Sequence, residues 1–320
     1  MTKIAILDDY QNVAMQTADW SAVQARADVI VFNDHVADAE ALVARLEPFD
    51  AICVMRERTP LPRSVLERLP SLRFIASTGA RNASIDLEAA RDFNITVSST
   101  GANGSGAPEL SWALILAAAR QIPAEVESLQ SGGWQTTVGR DLNGSTLGII
   151  GLGRIGSQIA RVGTAFGMNV IAWSQNLTEE TARAAGVTRV NKEELLRRSD
   201  WVTLHLVLSD RSRGVVGRDE LALMKRTAWL VNTSRGPLVD EDALVAALTD
   251  NKIAGATIDV FDHEPVQRGH RLISLPNVIA TPHIGFVTER SFRIFYRETV
   301  ENILAARRCS DQIPLGRSSR

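Results

Sequence analysis

Short β-rich runs recur along this chain, separated by stretches of helical apolar spacing, and that alternation restricts the fold more than any other feature. Ile4–Leu7, Val29–Phe32, Ala51–Met55, Leu72–Ser77 and Ile95–Ser98 form a first series. Thr146–Ile150, Val170–Trp173, Trp201–Leu206, Ala228–Val231, Ala256–Val260 and Val278–Ala280 form a second. Repeated strand–helix–strand order sets successive strands parallel and covers both sheet faces with helices. Two such series predict an α/β chain of two doubly wound, Rossmann-like parallel-sheet domains. The 320 residues allow this, since roughly 150 residues make one domain.

The series are separated by the turn-forming cluster Gly101-Ala102-Asn103-Gly104-Ser105-Gly106, read as a hinge, and by a long helical stretch from Pro108 to Gln130. From Thr288 to Arg308, the apolar residues Phe292, Phe295, Tyr296, Val300, Ile303 and Leu304 make one apolar helix face, which needs a packing partner. The polar tail Ser310–Arg320 has no periodicity, and Arg307, Arg308, Arg317 and Arg320 read as solvated charges.

Composition narrows the function. A formal charge of −2 leaves no basic stripe for nucleic acid, so a small molecule is the expected partner. The longest apolar run, Trp112–Ala119, falls far short of the roughly 18 residues a membrane span requires. Ile4–Leu7 is closed at once by Asp8-Asp9, which leaves no apolar core for an export signal. Cys53 and Cys309 have no metal-type spacing and suit a reducing interior. The expectation is a cytoplasmic protein without a bound metal.

Gly151-Leu152-Gly153-Arg154-Ile155-Gly156 follows the strand Thr146–Ile150 and opens a helix through Ile159, Ala160 and Val162. In that context Gly151 allows the tight turn, Gly153 lets backbone approach a pyrophosphate, and Gly156 lets helix and strand pack closely. Anion binding falls to the helix N–H groups and dipole. The acid that usually holds the adenosine ribose is replaced by Ser174, followed by Gln175 and Asn176. Losing that carboxylate removes the repulsion against a 2′-phosphate, yet no Arg or Lys follows to attract one. NAD is favoured, with NADP admitted.

Three further segments close strands of the second series: Val231–Pro237, Ile258–Pro265 and Thr281–Gly285. Carboxyl ends of parallel strands line the ligand crevice, so Arg235, Glu264 and His283 are candidates to converge beside a nicotinamide. Arg235 offers a planar fork of donors for a carboxylate and a keto oxygen. His283 exchanges a proton with that oxygen, and Glu264 orients the imidazole and favours its charged form. Asp259 is a candidate acceptor for the nicotinamide carboxamide. His35 and His270 read as exposed loop residues, His205 as strand-end packing, and His263 as a neighbour of the acid.

Together with the glycine motif, Asn232–Asp240, Asp259–Pro265 and Thr281–Gly285 resemble the D-isomer-specific 2-hydroxyacid dehydrogenases, especially their phosphoglycerate dehydrogenase and glyoxylate/hydroxypyruvate reductase branch. The resemblance implies a nucleotide domain of residues 102–287 inserted into a substrate domain of residues 1–101 and 288–320. It implies hydride exchange between NAD(P)H and a 2-keto acid, giving a D-2-hydroxy acid, with cofactor contacts completed by Leu206, Thr233, Ser234 and Gly285. It also implies a substrate contact at Arg56, a loop Thr78-Gly79-Ala80-Arg81-Asn82 whose backbone amides hold the substrate carboxylate, and a homodimer formed through the arm Ala107–Trp134. The sequence departs from the family at Arg81, usually Gly, at Val207, usually Pro, and at Phe286, usually small. Two other functions share this fold. Formate dehydrogenases carry glutamine at the position of Glu264, which argues against that reading. A dinucleotide-sensing corepressor or scaffold keeps similar motifs and differs only in lacking turnover.

Overall fold

The computed structural model describes residues 2–306; Cys309, Arg307, Arg308 and the tail Ser310–Arg320 lie outside them. The chain divides into two compact units. One comprises residues up to Asn103 together with those from Thr288 onward, and the other is Gly104–Val287.

The first unit carries a five-stranded parallel sheet of β1 (Thr2–Ile6), β2 (Ala27–Val31), β3 (Ala51–Val54), β4 (Phe74–Ser77) and β5 (Thr96–Ser99), in the order β2-β1-β3-β4-β5. Every residue of β3 and β4 is buried, as expected for central parallel strands covered on both faces. The helix Glu289–Ala306 packs on this unit, against β4, β5 and the short helices Ala14–Thr17 and Ser21–Gln24. Its apolar stripe, Phe292, Phe295, Tyr296, Val300 and Ile303, is buried. Polar ties at its flank fix the register: Glu298 Oε2 accepts from the Gly101 N–H at 2.6 Å, and Asn302 Nδ2 donates to the Ser99 carbonyl at 3.0 Å.

The second unit holds seven parallel strands, β6 (Thr146–Ile150), β7 (Asn169–Trp173), β8 (Thr188–Arg189), β9 (Trp201–Leu204), β10 (Trp229–Asn232), β11 (Gly255–Ile258) and β12 (Val278–Ala280). Their order is β12-β11-β10-β9-β6-β7-β8. The chain runs outward from β6 through β7 to β8, then returns to place β9 on the other side of β6. That reversal opens a crevice at the carboxyl ends of β6 and β9, where ligands of such sheets bind. Trp201 and Trp229, paired in register on β9 and β10, stack with ring centres 6.1 Å apart in the core.

The sequence reading differs in two places. The stretch Pro108–Gln130 is two helices, Gly106–Ala119 and Ile122–Gln130, broken at Gln121 with φ of 53°. Pro123 explains the break: it has no N–H to continue the earlier helix, and its ring would meet the carbonyl four residues back. β8 went unread because both of its residues are exposed and neither contributes an apolar signal.

Candidate active site

The β6–β9 crevice is built by the glycine loop. Gly151 has φ of +104°, and a Cβ on it would lie 2.5 Å from the His205 carbonyl oxygen, so β6 and β9 can close up only without a side chain there. A Cβ on Gly156 would lie 2.2 Å from the Gly151 oxygen, whereas one on Gly153 would meet nothing within 4 Å. The loop is therefore tight on its protein side and open at Gly153, the N-cap of the helix Arg154–Ala165. Arg154, Ile155 and Gly156 supply the first helical N–H groups, whose partners cannot be intrahelical carbonyls. These residues fit the pyrophosphate of a dinucleotide. At the end of β7, Ser174 Oγ accepts from the Leu152 N–H at 2.9 Å, which fixes the hydroxyl beside the loop. Two basic residues that pack near the end of β7 are already engaged. Arg189 donates to the Leu177 carbonyl at 2.7 Å, and Lys192 pairs with Glu220 at 2.6 Å.

The three candidate catalytic residues follow neighbouring strands β10, β11 and β12. Nδ1 of His283 meets Glu264 Oε2 at 2.5 Å, and Glu264 Oε1 accepts from the Phe261 N–H at 2.9 Å. Burial alone would raise the Glu264 pKa. The hydrogen bond and charge of His283, the Phe261 N–H and the Arg235 charge outweigh it and hold the carboxyl below its usual range. Arg235 is drawn toward this pair by Gly236, where a Cβ would lie 2.1 Å from the Phe261 carbonyl carbon. The side chains of His283 and Glu264 remain 24% and 28% exposed, so the imidazole can meet a ligand. With Nδ1 occupied, Nε2 is the nitrogen that can offer a proton.

His283 itself has φ of 50°, uncommon for a residue with a Cβ. Its loop is held by Asp259. Oδ1 accepts from Thr281 Oγ1 at 2.6 Å and from the Ile284 N–H at 2.8 Å, while Oδ2 accepts from the Gly285 N–H at 2.8 Å. Asp259 is fully buried, and burial raises its pKa against these bonds. The expected carboxamide acceptor thus has a second task, caging the loop that presents His283.

The remaining cofactor candidates flank the crevice. Leu206 lies against Gly151, close to where a Cβ would stand. The Thr233 hydroxyl is engaged by Ser111 at 2.6 Å and that of Ser234 by the Leu204 carbonyl at 2.7 Å, while the Ser234 N–H donates to Asn232 Oδ1 at 3.2 Å and its carbonyl accepts from Arg235 Nη1 at 2.7 Å. His205 stays neutral: burial pushes its pKa down to about 3, and Nε2 meets Thr203 Oγ1 at 2.8 Å. His35 and His270 are not the exposed residues expected. They pair with Asp8 at 2.9 Å and Glu241 at 3.2 Å, with 10% and 20% of their side chains exposed, because each loop folds back onto a carboxylate. Among the described residues no cluster of side chains suits a metal ion, and no helix is long and apolar enough to cross a membrane.

Arg56, Ala80, Arg81 and Asn82 belong to the first unit, after β3 and β4. Arg56 is part-buried, while Ala80 and Arg81 are exposed. The Asn82 side chain is turned toward the protein. Its Nδ2 donates to the Arg56 carbonyl at 2.5 Å and to Ser77 Oγ at 3.1 Å, so both amide hydrogens are engaged.

Residues 112–285 match the model of the D-isomer specific 2-hydroxyacid dehydrogenase NAD-binding domain, more than half of the chain. The chain belongs to this 2-hydroxyacid dehydrogenase family. Among relatives, a D-3-phosphoglycerate dehydrogenase of Methanocaldococcus jannaschii is 41% identical over 79% of this chain and 48% of its own length. A glyoxylate reductase of Aeropyrum pernix is 37% identical over 83% of this chain and 82% of its own. The crystal structure of a phosphoglycerate oxidoreductase from Vibrio cholerae superimposes with a TM-score of 0.92 at 39% identity, covering 97% of this chain and all of that one. The chain spans about half the length of the matched phosphoglycerate dehydrogenases and most of the glyoxylate reductase. As in this dehydrogenase family, the second unit is a nicotinamide dinucleotide-binding domain.

Two residues of the candidate site were missed by sequence reasoning. Asn232 Nδ2 donates to the Arg235 carbonyl at 2.9 Å, and its Oδ1 accepts from the Ser234 N–H at 3.2 Å. Gly236 allows the close approach just described. The available signal was an Asn at a strand end just ahead of the arginine, a position where its side chain folds onto the turn.

Proposed function

We propose that this protein reduces a 2-keto acid to a D-2-hydroxy acid, and catalyses the reverse, using a nicotinamide dinucleotide. The observation that carries the reading is the His283–Glu264 contact beside Arg235 at the mouth of the dinucleotide domain. The bound cofactor supplies or takes up a hydride. Arg235 holds the substrate carboxylate in two-point fashion and polarises the keto oxygen. His283 gives its Nε2 proton to that oxygen as the C–H bond forms, and takes it back in oxidation. Glu264 stays ionised and keeps the ring oriented. In this reading Arg56 and the loop Gly79–Asn82 serve the substrate from the first unit, and the setting is the cytoplasm.

NAD is the preferred cofactor. Without a cation free beside Ser174 a 2′-phosphate gains nothing, and without a carboxylate it is not expelled, so NADPH serves as a poorer substitute. The assembly is a homodimer through the arm that follows the hinge. No residue of the helix Ile122–Gln130 is buried, and Ile122, Val126 and Leu129 make an exposed stripe continued by Trp134 and Val138. The occupant that fits such a stripe is a second copy, which sedimentation velocity would detect; a monomer at assay concentrations removes this part.

The decisive experiment is a panel of glyoxylate, hydroxypyruvate, phenylpyruvate and 2-ketobutyrate with NADH and NADPH, followed at the nicotinamide absorbance. Turnover with at least one acid is expected, with NADH better than NADPH. Dinucleotide binding with negligible turnover would make the protein a sensor of the same fold. A second expectation concerns orientation. Glu264→Gln removes the carboxylate that fixes the His283 ring, so kcat for reduction should fall by about tenfold or more while NADH binding is kept. An unchanged kcat contradicts the pairing.

A further inference from the structure

We propose that Asn82, with Thr78 and Gly79, is a clamp that presents Arg56 in one fixed conformation, so that the Asn82 side chain acts on the substrate through Arg56 rather than by touching it. The inference rests on the reading of Arg56 as a substrate arginine. Arg56 lies two residues past β3 with φ of 53°, in the left-handed region that a residue with a long side chain seldom occupies. Such a conformation persists only where the surroundings over-determine it, and they do so here. The Arg56 N–H donates to Thr78 Oγ1 at 2.9 Å, and its carbonyl accepts from Asn82 Nδ2 at 2.5 Å. Both backbone polar groups of the arginine are thus held by side chains from the segment following β4.

The guanidinium is placed as well. It lies directly over Gly79, where a Cβ would stand 2.0 Å from Nη1. Gly79 has φ of +84°, and its N–H is fixed by Thr100 Oγ1 at 2.8 Å. Asn82 is locked in turn: its second amide hydrogen goes to Ser77 Oγ at 3.1 Å, and its Oδ1 accepts from the Ser84 N–H at 2.9 Å. No side-chain donor of Asn82 remains for a ligand. The second unit repeats the arrangement, since Asn232 donates to the Arg235 carbonyl and accepts from the Ser234 N–H. Each candidate substrate arginine therefore has its carbonyl tied by an asparagine that is itself folded into a local turn. Pre-ordering a long, rotamer-rich side chain lowers the entropy lost when it grips an anion, which strengthens substrate binding.

The test uses full-length protein with NADH and either glyoxylate or hydroxypyruvate. Asn82→Ala should raise the KM of the keto acid by about tenfold while the KM of NADH stays put. In an Arg56→Met background the same substitution should raise the keto-acid KM no further, because the clamp has lost what it positions. A structural role alone would act equally in both backgrounds, and that additivity would overturn the proposal, as would an unchanged KM in Asn82→Ala. Hydrogen exchange at the Arg56 amide gives a readout independent of activity. Thr78→Val and Asn82→Ala should speed it, and unchanged exchange refutes the clamp. If Arg56→Met alone leaves the keto-acid KM unchanged, the substrate role of Arg56 fails, while the exchange rates still decide the clamp.

Discussion

Replacing His283 with asparagine should lower kcat for keto-acid reduction by about a hundredfold or more, the usual contribution of a positioned proton donor. Asparagine suits this test because it tolerates the left-handed backbone at φ of 50° better than most residues. The loop should also keep its shape. Its three ties to Asp259 come from Thr281, Ile284 and Gly285, and none passes through the His283 side chain. NADH affinity, read by fluorescence titration, should therefore stay near that of the parent. Loss of turnover with retained NADH binding places the defect at proton transfer. An unchanged kcat removes His283 from the mechanism, and lost NADH binding would mean that the loop had collapsed.

Much of the architecture was legible because parallel α/β structure writes itself in alternating segments. Buried segments such as Ala51–Val54 and Trp229-Leu230-Val231 are continuous apolar runs, and the glycine loop sits where a strand turns into a helix. The candidate chemistry was legible for a related reason: Arg235, Glu264 and His283 each follow a strand, and strand order brings their loops together. The clamps were not legible. Asp259, Asn232 and Asn82 act by hydrogen bonds whose partners are chosen by loop geometry, and sequence spacing does not encode that geometry. Asp259 is read from the sequence as a carboxamide acceptor, and Asn82 as part of a loop whose backbone amides hold a carboxylate, yet the bonding capacity of both side chains is mostly turned toward the protein. The histidines show the same limit. Nothing in the sequence around His35 or His270 reveals the carboxylate each one meets.

These clamps bear on Arg235, where substitution by methionine should lower kcat/KM by about thirtyfold to several-thousandfold, or about 2–5 kcal/mol, the range for truncating one member of a desolvated charge pair. Both parameters should suffer, since the guanidinium is assigned the carboxylate in the ground state and the keto oxygen as charge grows on it. Arg235→Lys should recover only part of the loss: the ammonium keeps the charge and lacks the two-pronged geometry. The backbone there should persist, because Asn232 ties the carbonyl of residue 235 and Gly236 still admits Phe261. The pH profile supplies an independent check. Arg235 is among the charges that hold the Glu264 carboxyl below its usual range, so removing it raises that pKa and moves the acid limb of activity to higher pH. A loss under tenfold in Arg235→Met, with the acid limb unmoved, would mean that the guanidinium faces neither the substrate nor the His283–Glu264 pair, and the site would need another anion holder.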